Sequence, residues 1–108
     1  MTGRVIWHEL AEQDLAEAYL FIGEDSLAAA ERLLDALEAT VQFLLGSPGA
    51  GRKRRFASAR AKGIRSWAVS GFPSYLIFYR LDGKDLEVVR FVHGARDLPR
   101  LLEDDSAG

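Results

Sequence analysis

The stretch YLIFYRLDGKDLEVVRFV, residues 75–92, decides the fold. Two apolar and aromatic runs flank Asp82-Gly83: Tyr75 to Leu81, broken only by Arg80, and Leu86 to Val92. Asp-Gly is a strong signal for a two-residue β-hairpin turn, because both central positions of that turn need positive φ. The stretch therefore predicts two neighbouring antiparallel strands. Residues Tyr75-Leu76-Ile77-Phe78-Tyr79 are apolar at odd and even positions alike, which suits a central strand covered on both faces. Upstream, Ile64 to Ser70 alternates loosely and predicts a third strand.

Further toward the N-terminus the period changes from strand to helix. Ala11, Leu15, Ala18, Tyr19 and Ile22 recur at spacings of three and four, with Glu12, Asp14, Glu17 and Glu24 away from that face. Gly23 and Glu24-Asp25-Ser26 close this helix. Ser26 is placed to cap the next one, since its hydroxyl can accept from a free amide of the first turn. The second stripe, Leu27, Ala30, Leu33, Leu34, Leu37, Val41, Leu44 and Leu45, stops at Gly46 with Pro48 just beyond. At 1.5 Å per residue this helix is about 28 Å long. Two helices joined by a few polar residues predict an antiparallel hairpin with both stripes on one core. Leu20 and Phe43 point away from those stripes. Before the helices, Arg4 to Glu9 carries Val5, Ile6 and Trp7 and reads as a short opening strand. From Ser47 to Gly63 the chain is basic and rich in Gly, Ala and Ser, and reads as a loop. Asp97 is placed to cap a short final helix with Pro99 in its first turn, and residues 103–108 read as a frayed acidic tail.

The fold class expected is α+β in one domain over residues 1–108. It has a short N-terminal strand, a two-helix antiparallel hairpin packed on a small mainly antiparallel sheet, and a short C-terminal helix. The hairpin covers one sheet face, and the chain does not obviously supply a cover for the other, so a partner is expected there.

Composition narrows the chemistry. The chain has 108 residues and no cysteine, which excludes a disulfide framework, a thiolate zinc site and a cysteine nucleophile. Two histidines, His8 and His93, make a conventional metal cage unexpected, and no cofactor is implied. No stretch approaches the roughly 18 to 20 apolar residues of a membrane span, and the opening residues lack the apolar core of a signal peptide, so a cytoplasmic location is expected. The net charge of −2 conceals a separation. Residues 1–50 hold two basic and nine acidic side chains, whereas residues 51–100 hold twelve and four. Such a basic block could meet nucleic acid, an acidic protein surface, or the acidic half of its own chain.

There is no Gly-x-Ser-x-Gly, and Gly46-Ser-Pro-Gly-Ala-Gly51 lacks both the Lys-Ser/Thr and the preceding strand of a phosphate-binding loop. The cluster that draws attention is His93-Gly94-Ala95-Arg96-Asp97, an imidazole, a guanidinium and a carboxylate where a strand gives way to a helix. It could provide a general acid and a phosphate-binding Arg for a metal-free ribonuclease. The alternative is structural: Gly94 allows the turn, Asp97 caps, Arg96 pairs with a carboxylate and His93 packs. Spacing favours the structural reading.

Six pieces in order then carry a family resemblance: Ala11-x-x-Asp14-Leu15; the helix from Ser26 through Ala30, Leu33 and Leu37 to Pro48-x-x-Gly51; Gly63-Ile64-Arg65; Tyr75 to Arg80; Leu86-Glu87-Val88-Val89-Arg90; and His93 to Leu98. In this order the chain resembles the ParE-type toxins of bacterial type II toxin-antitoxin modules, within the wider ParE/RelE superfamily. The resemblance implies the helical hairpin and small sheet reached above. It also implies a ParD-like antitoxin partner whose C-terminal segment wraps the toxin, DNA gyrase as target, no enzymatic activity, and no direct specific DNA binding by this chain.

The alternative within the superfamily is the RelE-like ribosome-dependent messenger ribonuclease, and a further one is an antitoxin-binding module without toxicity. RelE-like sequences carry an Arg where this chain has Leu76, a basic strand where it has Ser66-Trp67-Ala68-Val69, and a late Tyr near Leu102. Only Arg96 matches a catalytic Arg in position. Missing cations should cost a phosphoryl-transfer site orders of magnitude. The family-pattern positions are Arg65, Tyr79, Arg80, His93, Arg96 and Asp97, none given a catalytic role. Leu20 and the basic run Arg52, Lys53, Arg54 and Arg55 are the expected partner contacts.

Overall fold

A computed structural model describes residues 3–55, 62–99 and 101. The expected frayed tail lies outside the described residues. The elements run β1 (Val5–Trp7), α1 (Glu9–Asp25), α2 (Leu27–Gly46), a single 3-10 turn (Pro48–Ala50), β2 (Arg52–Lys53), β3 (Arg65–Val69), β4 (Phe72–Asp82) and β5 (Asp85–His93). The five strands form one sheet in the order β1-β5-β4-β3-β2. β1 lies parallel to β5 and every other pair is antiparallel. The α+β class, the helical hairpin and the short first strand are as the sequence implied.

Both helices form where periodicity placed them. Ser26 caps α2 by accepting from the Ala29 N–H at 3.1 Å. The stripe residues Leu33, Leu37, Val41 and Leu44 are buried against the sheet, each contributing about 1.5–3 kcal/mol of burial. α1 buries only Ala11 and Ala18, and residues this small let it lie close on its neighbours. On the sheet's helix-facing side stand Tyr75, Ile77 and Tyr79 from β4, with Leu86, Val88 and Phe91 from β5.

Four details differ from the sequence reading. The basic segment expected as loop contains β2, which pairs Arg52 with Ser66 and Lys53 with Arg65. The hairpin turn is centred on Gly83-Lys84, since Asp82 pairs with Asp85. Only Gly83 has positive φ, at 63°, so the turn needs one permissive residue rather than two. The far face of the sheet is partly covered by the chain itself, with Leu98 and Leu101 packing on Ile64, Phe78 and Val92. Finally, Asp97 begins a helical turn by accepting from the Leu101 N–H at 2.9 Å, but its carboxylate turns back to the His93 N–H at 3.2 Å.

The register of β4 and β5 slips by one residue: Phe78 pairs with Arg90 and Tyr79 with Val88. Val89 is thereby left as a bulge. Uninterrupted alternation would put Val88 and Phe91 on opposite faces, yet both lie in the helix-side core.

Candidate functional site

Of the positions singled out by sequence, two hold one loop. The Tyr79 hydroxyl donates to the Pro48 carbonyl at 2.7 Å and accepts from the Gly51 N–H at 2.9 Å. Arg65, opposite Tyr79 in the ladder, donates to the Gly51 carbonyl at 2.9 Å. Tyr79 is fully buried, and burial raises its phenol above the ordinary value against opposing effects of the Gly51 bond and the Arg65 charge. A Cβ at Gly51 would collide with the Tyr79 ring, so glycine is required where the 3-10 turn meets the sheet. This trio anchors the exit from α2.

Arg80 stands on the other face of β4 and donates through Nε to Glu87 at 2.8 Å. His8 lies 3.4 Å from the second Glu87 oxygen. The Arg80 hydrogen bond, with a smaller effect of His8, holds the Glu87 carboxyl below its ordinary range despite partial burial.

The His93–Asp97 turn meets α1. Arg96 lies over the Phe21 ring at 4.8 Å, a cation–π contact rather than the carboxylate pairing expected. The His93 ring meets Tyr75 edge-on at 5.1 Å, and its Nδ1 is buried without a hydrogen-bond partner. A recess of about 230 Å³ opens here, lined among others by Asp14, Glu17, His93, Arg96 and Asp97. His93, Arg96 and Asp97 are thus brought together, whereas Arg65, Tyr79 and Arg80 belong to two other clusters.

The basic run divides. Arg54 donates from its backbone to the Ile64 carbonyl at 2.9 Å and through Nε to Ser66 Oγ at 2.7 Å, with its guanidinium 5.6 Å from the Phe78 ring centre. Burial first, then the charge of Arg52, lowers its guanidinium from the ordinary value. Arg52, Lys53 and Arg55 are exposed, as is Leu20, at 66%.

Sequence reasoning left out Asp14 and Arg90. Arg90 donates to both Asp14 oxygens, at 2.7 and 3.0 Å, and the Phe91 N–H adds a third bond at 3.0 Å. The signal available was Asp14 in the Ala-x-x-Asp-Leu motif, but nothing local connects it to a strand 76 residues away. Among the described residues, no group of three or more histidine or acidic side chains could hold a metal ion, and no helix is long and apolar enough to cross a membrane.

A family model described as "ParE toxin of type II toxin-antitoxin system, parDE" matches residues 5–98. Among solved structures, "Chromosomal ParDE TA system from P. aeruginosa" superposes with a TM-score of 0.67 at 19% identity. That match covers 85% of this chain and 96% of the other, and at this identity it speaks for the fold. Comparison with curated proteins finds no significant match.

Proposed function

Since the chain belongs to the ParE toxin family of type II toxin-antitoxin systems, we propose that it is a bacterial cytoplasmic toxin. In this reading it inhibits DNA gyrase by binding, without chemistry of its own, and a ParD-like antitoxin neutralises it. The observation that carries the choice of inhibitor over ribonuclease is the charge of the His93 recess. A scissile phosphate between His93 and Arg96 would share that space with Asp14, Glu17 and Asp97. Asp14 is paired to Arg90, but the remaining carboxylates oppose a phosphate whose negative charge must be stabilised in the transition state. The other family-pattern arginines are held elsewhere, Arg65 by a carbonyl and Arg80 by Glu87.

The test is induced expression in a susceptible bacterium, following thymidine and leucine incorporation over the first minutes, with a supercoiling and DNA-cleavage assay on purified gyrase. Early loss of thymidine uptake, with trapped cleaved DNA in the purified assay, is expected. Early loss of leucine uptake would instead establish the ribosome-dependent ribonuclease. An effect on neither, with antitoxin binding intact, would leave an antitoxin-binding module without toxicity.

A further inference from the structure

The basic edge of the sheet lacks a local counter-charge. Residues 52–80 contain no Asp or Glu, and among the described residues no carboxylate pairs with Arg52, Lys53, Arg54 or Arg55. The register gathers two of these cations on the sheet face turned away from the helices. Arg52 stands opposite Ser66 and Ser66 opposite Phe78, and residues directly opposite in a ladder share a face. Arg54 lies over the Phe78 ring on that same face, its guanidinium 5.6 Å from the ring centre. The two like charges are close enough that Arg52, after burial, helps to lower the Arg54 guanidinium.

The C-terminal turn arrives at the same place. Leu98 and Leu101 pack on the cluster of Ile64, Phe78 and Val92. Glu103, Asp104 and Asp105 follow within four residues of Leu101, about 13 Å of extended chain. From β4, which carries Phe78, to β2 is two strand spacings, about 10 Å. Three consecutive carboxylates are therefore tethered within reach of the cations that have no counter-ion.

We propose that Glu103, Asp104 and Asp105 lie on the Arg52 and Arg54 face of their own chain and screen the basic edge from nucleic acid. The occupant is this segment because a short tether holds it at an effective concentration in the millimolar range, which a diffusing acidic peptide does not reach. Its charge is complementary to the edge, and the packing of Leu101 sets where it starts. The consequence is selectivity. A run of exposed Arg and Lys attracts any polyanion through counter-ion release, and an acidic segment already seated there must first be displaced.

The test compares the full chain with a neutral-tail variant combining Glu103→Gln, Asp104→Asn and Asp105→Asn. One readout is the Arg52 and Arg54 Nε–H NMR signals. They should differ between the two proteins at 0.1 M salt, where the Debye length is about 10 Å, and coincide at 1 M, where it is about 3 Å. The other is affinity for a mixed-sequence DNA duplex at 0.1 M salt, which should rise about tenfold in the neutral-tail variant. A control combining Glu24→Gln, Asp35→Asn and Glu38→Gln removes the same charge from exposed helix positions and should gain much less. Adding Arg52→Gln, Lys53→Gln and Arg55→Gln to the neutral tail should abolish the gain. Unmoved arginine signals, an unchanged DNA affinity, an equal gain in the helix control, or a gain that survives loss of the three cations would overturn the proposal. So would signal differences that grow with protein concentration, which would place the segment of a second copy on the edge. None of these outcomes depends on gyrase, toxicity or an antitoxin.

Discussion

At the residue scale, Tyr79 shows how a family-pattern position can be a structural one. Its hydroxyl serves a partly buried carbonyl and a buried amide at once. Tyr79→Phe keeps the ring and strands both groups, so it should lower unfolding free energy by about 1–3 kcal/mol in urea titration. A variant of unchanged stability would mean the loop finds other partners. Glu87 gives a pH dependence whose sign follows from its depressed folded value. Its contribution is present above the ordinary carboxylate range and is lost as pH falls through the folded value. The denaturation midpoint should thus fall as pH drops below the ordinary carboxylate range, and Glu87→Gln should flatten part of that slope.

At the scale of elements, the contact that matters most is between α1 and β5. The bulge at Val89 breaks the ladder, and Asp14 takes up the Phe91 N–H together with the Arg90 guanidinium. One carboxylate thereby ties the first helix to the strand lining the His93 recess. Asp14→Ala should cost about 1–3 kcal/mol, because it leaves the Phe91 N–H without its acceptor and removes two charge-assisted bonds from Arg90. Asp14→Asn, which preserves an acceptor for the amide, should cost less. Equal losses in thermal melts would show that the charge, not the amide bond, carries the contact.

For the molecule as a whole, charge is divided by layer. α1 and α2 hold nine acidic side chains and one basic, Arg32, while the basic residues concentrate in β2 to β5 and their connections. The sheet side should therefore attract an acidic partner over distances comparable with the Debye length, about 10 Å at 0.1 M salt. Replacing Arg52, Lys53 and Arg55 by Ser should reduce the antitoxin on-rate several-fold and flatten its salt dependence, with little change in melting temperature. Arg54→Ser is expected to behave differently, lowering stability as well, because its side chain bonds Ser66 and covers Phe78. Stopped-flow association at two salt concentrations separates the cases.

What the sequence determined by itself was local and periodic. A 3.6-residue stripe on residues 27–45, a serine able to cap it, and two apolar runs about a glycine turn leave the backbone few alternatives, so class, helical hairpin and four of the five strands were legible, the two-residue β2 being too short to carry a pattern. The order of motifs also carried the family. Only the tertiary structure decided which face Phe91 takes, since a single bulged residue reverses alternation without changing composition. It also decided that Arg65 binds a carbonyl and that Arg96 lies on an aromatic ring, leaving the His93 cluster an acid-lined recess. The partners of those side chains are contributed by Gly51, Phe21 and Asp14, distant in the chain and adjacent only after the helices close on the sheet. Local pattern fixes which backbone each segment adopts, whereas side-chain chemistry depends on neighbours that folding alone brings within a few ångströms.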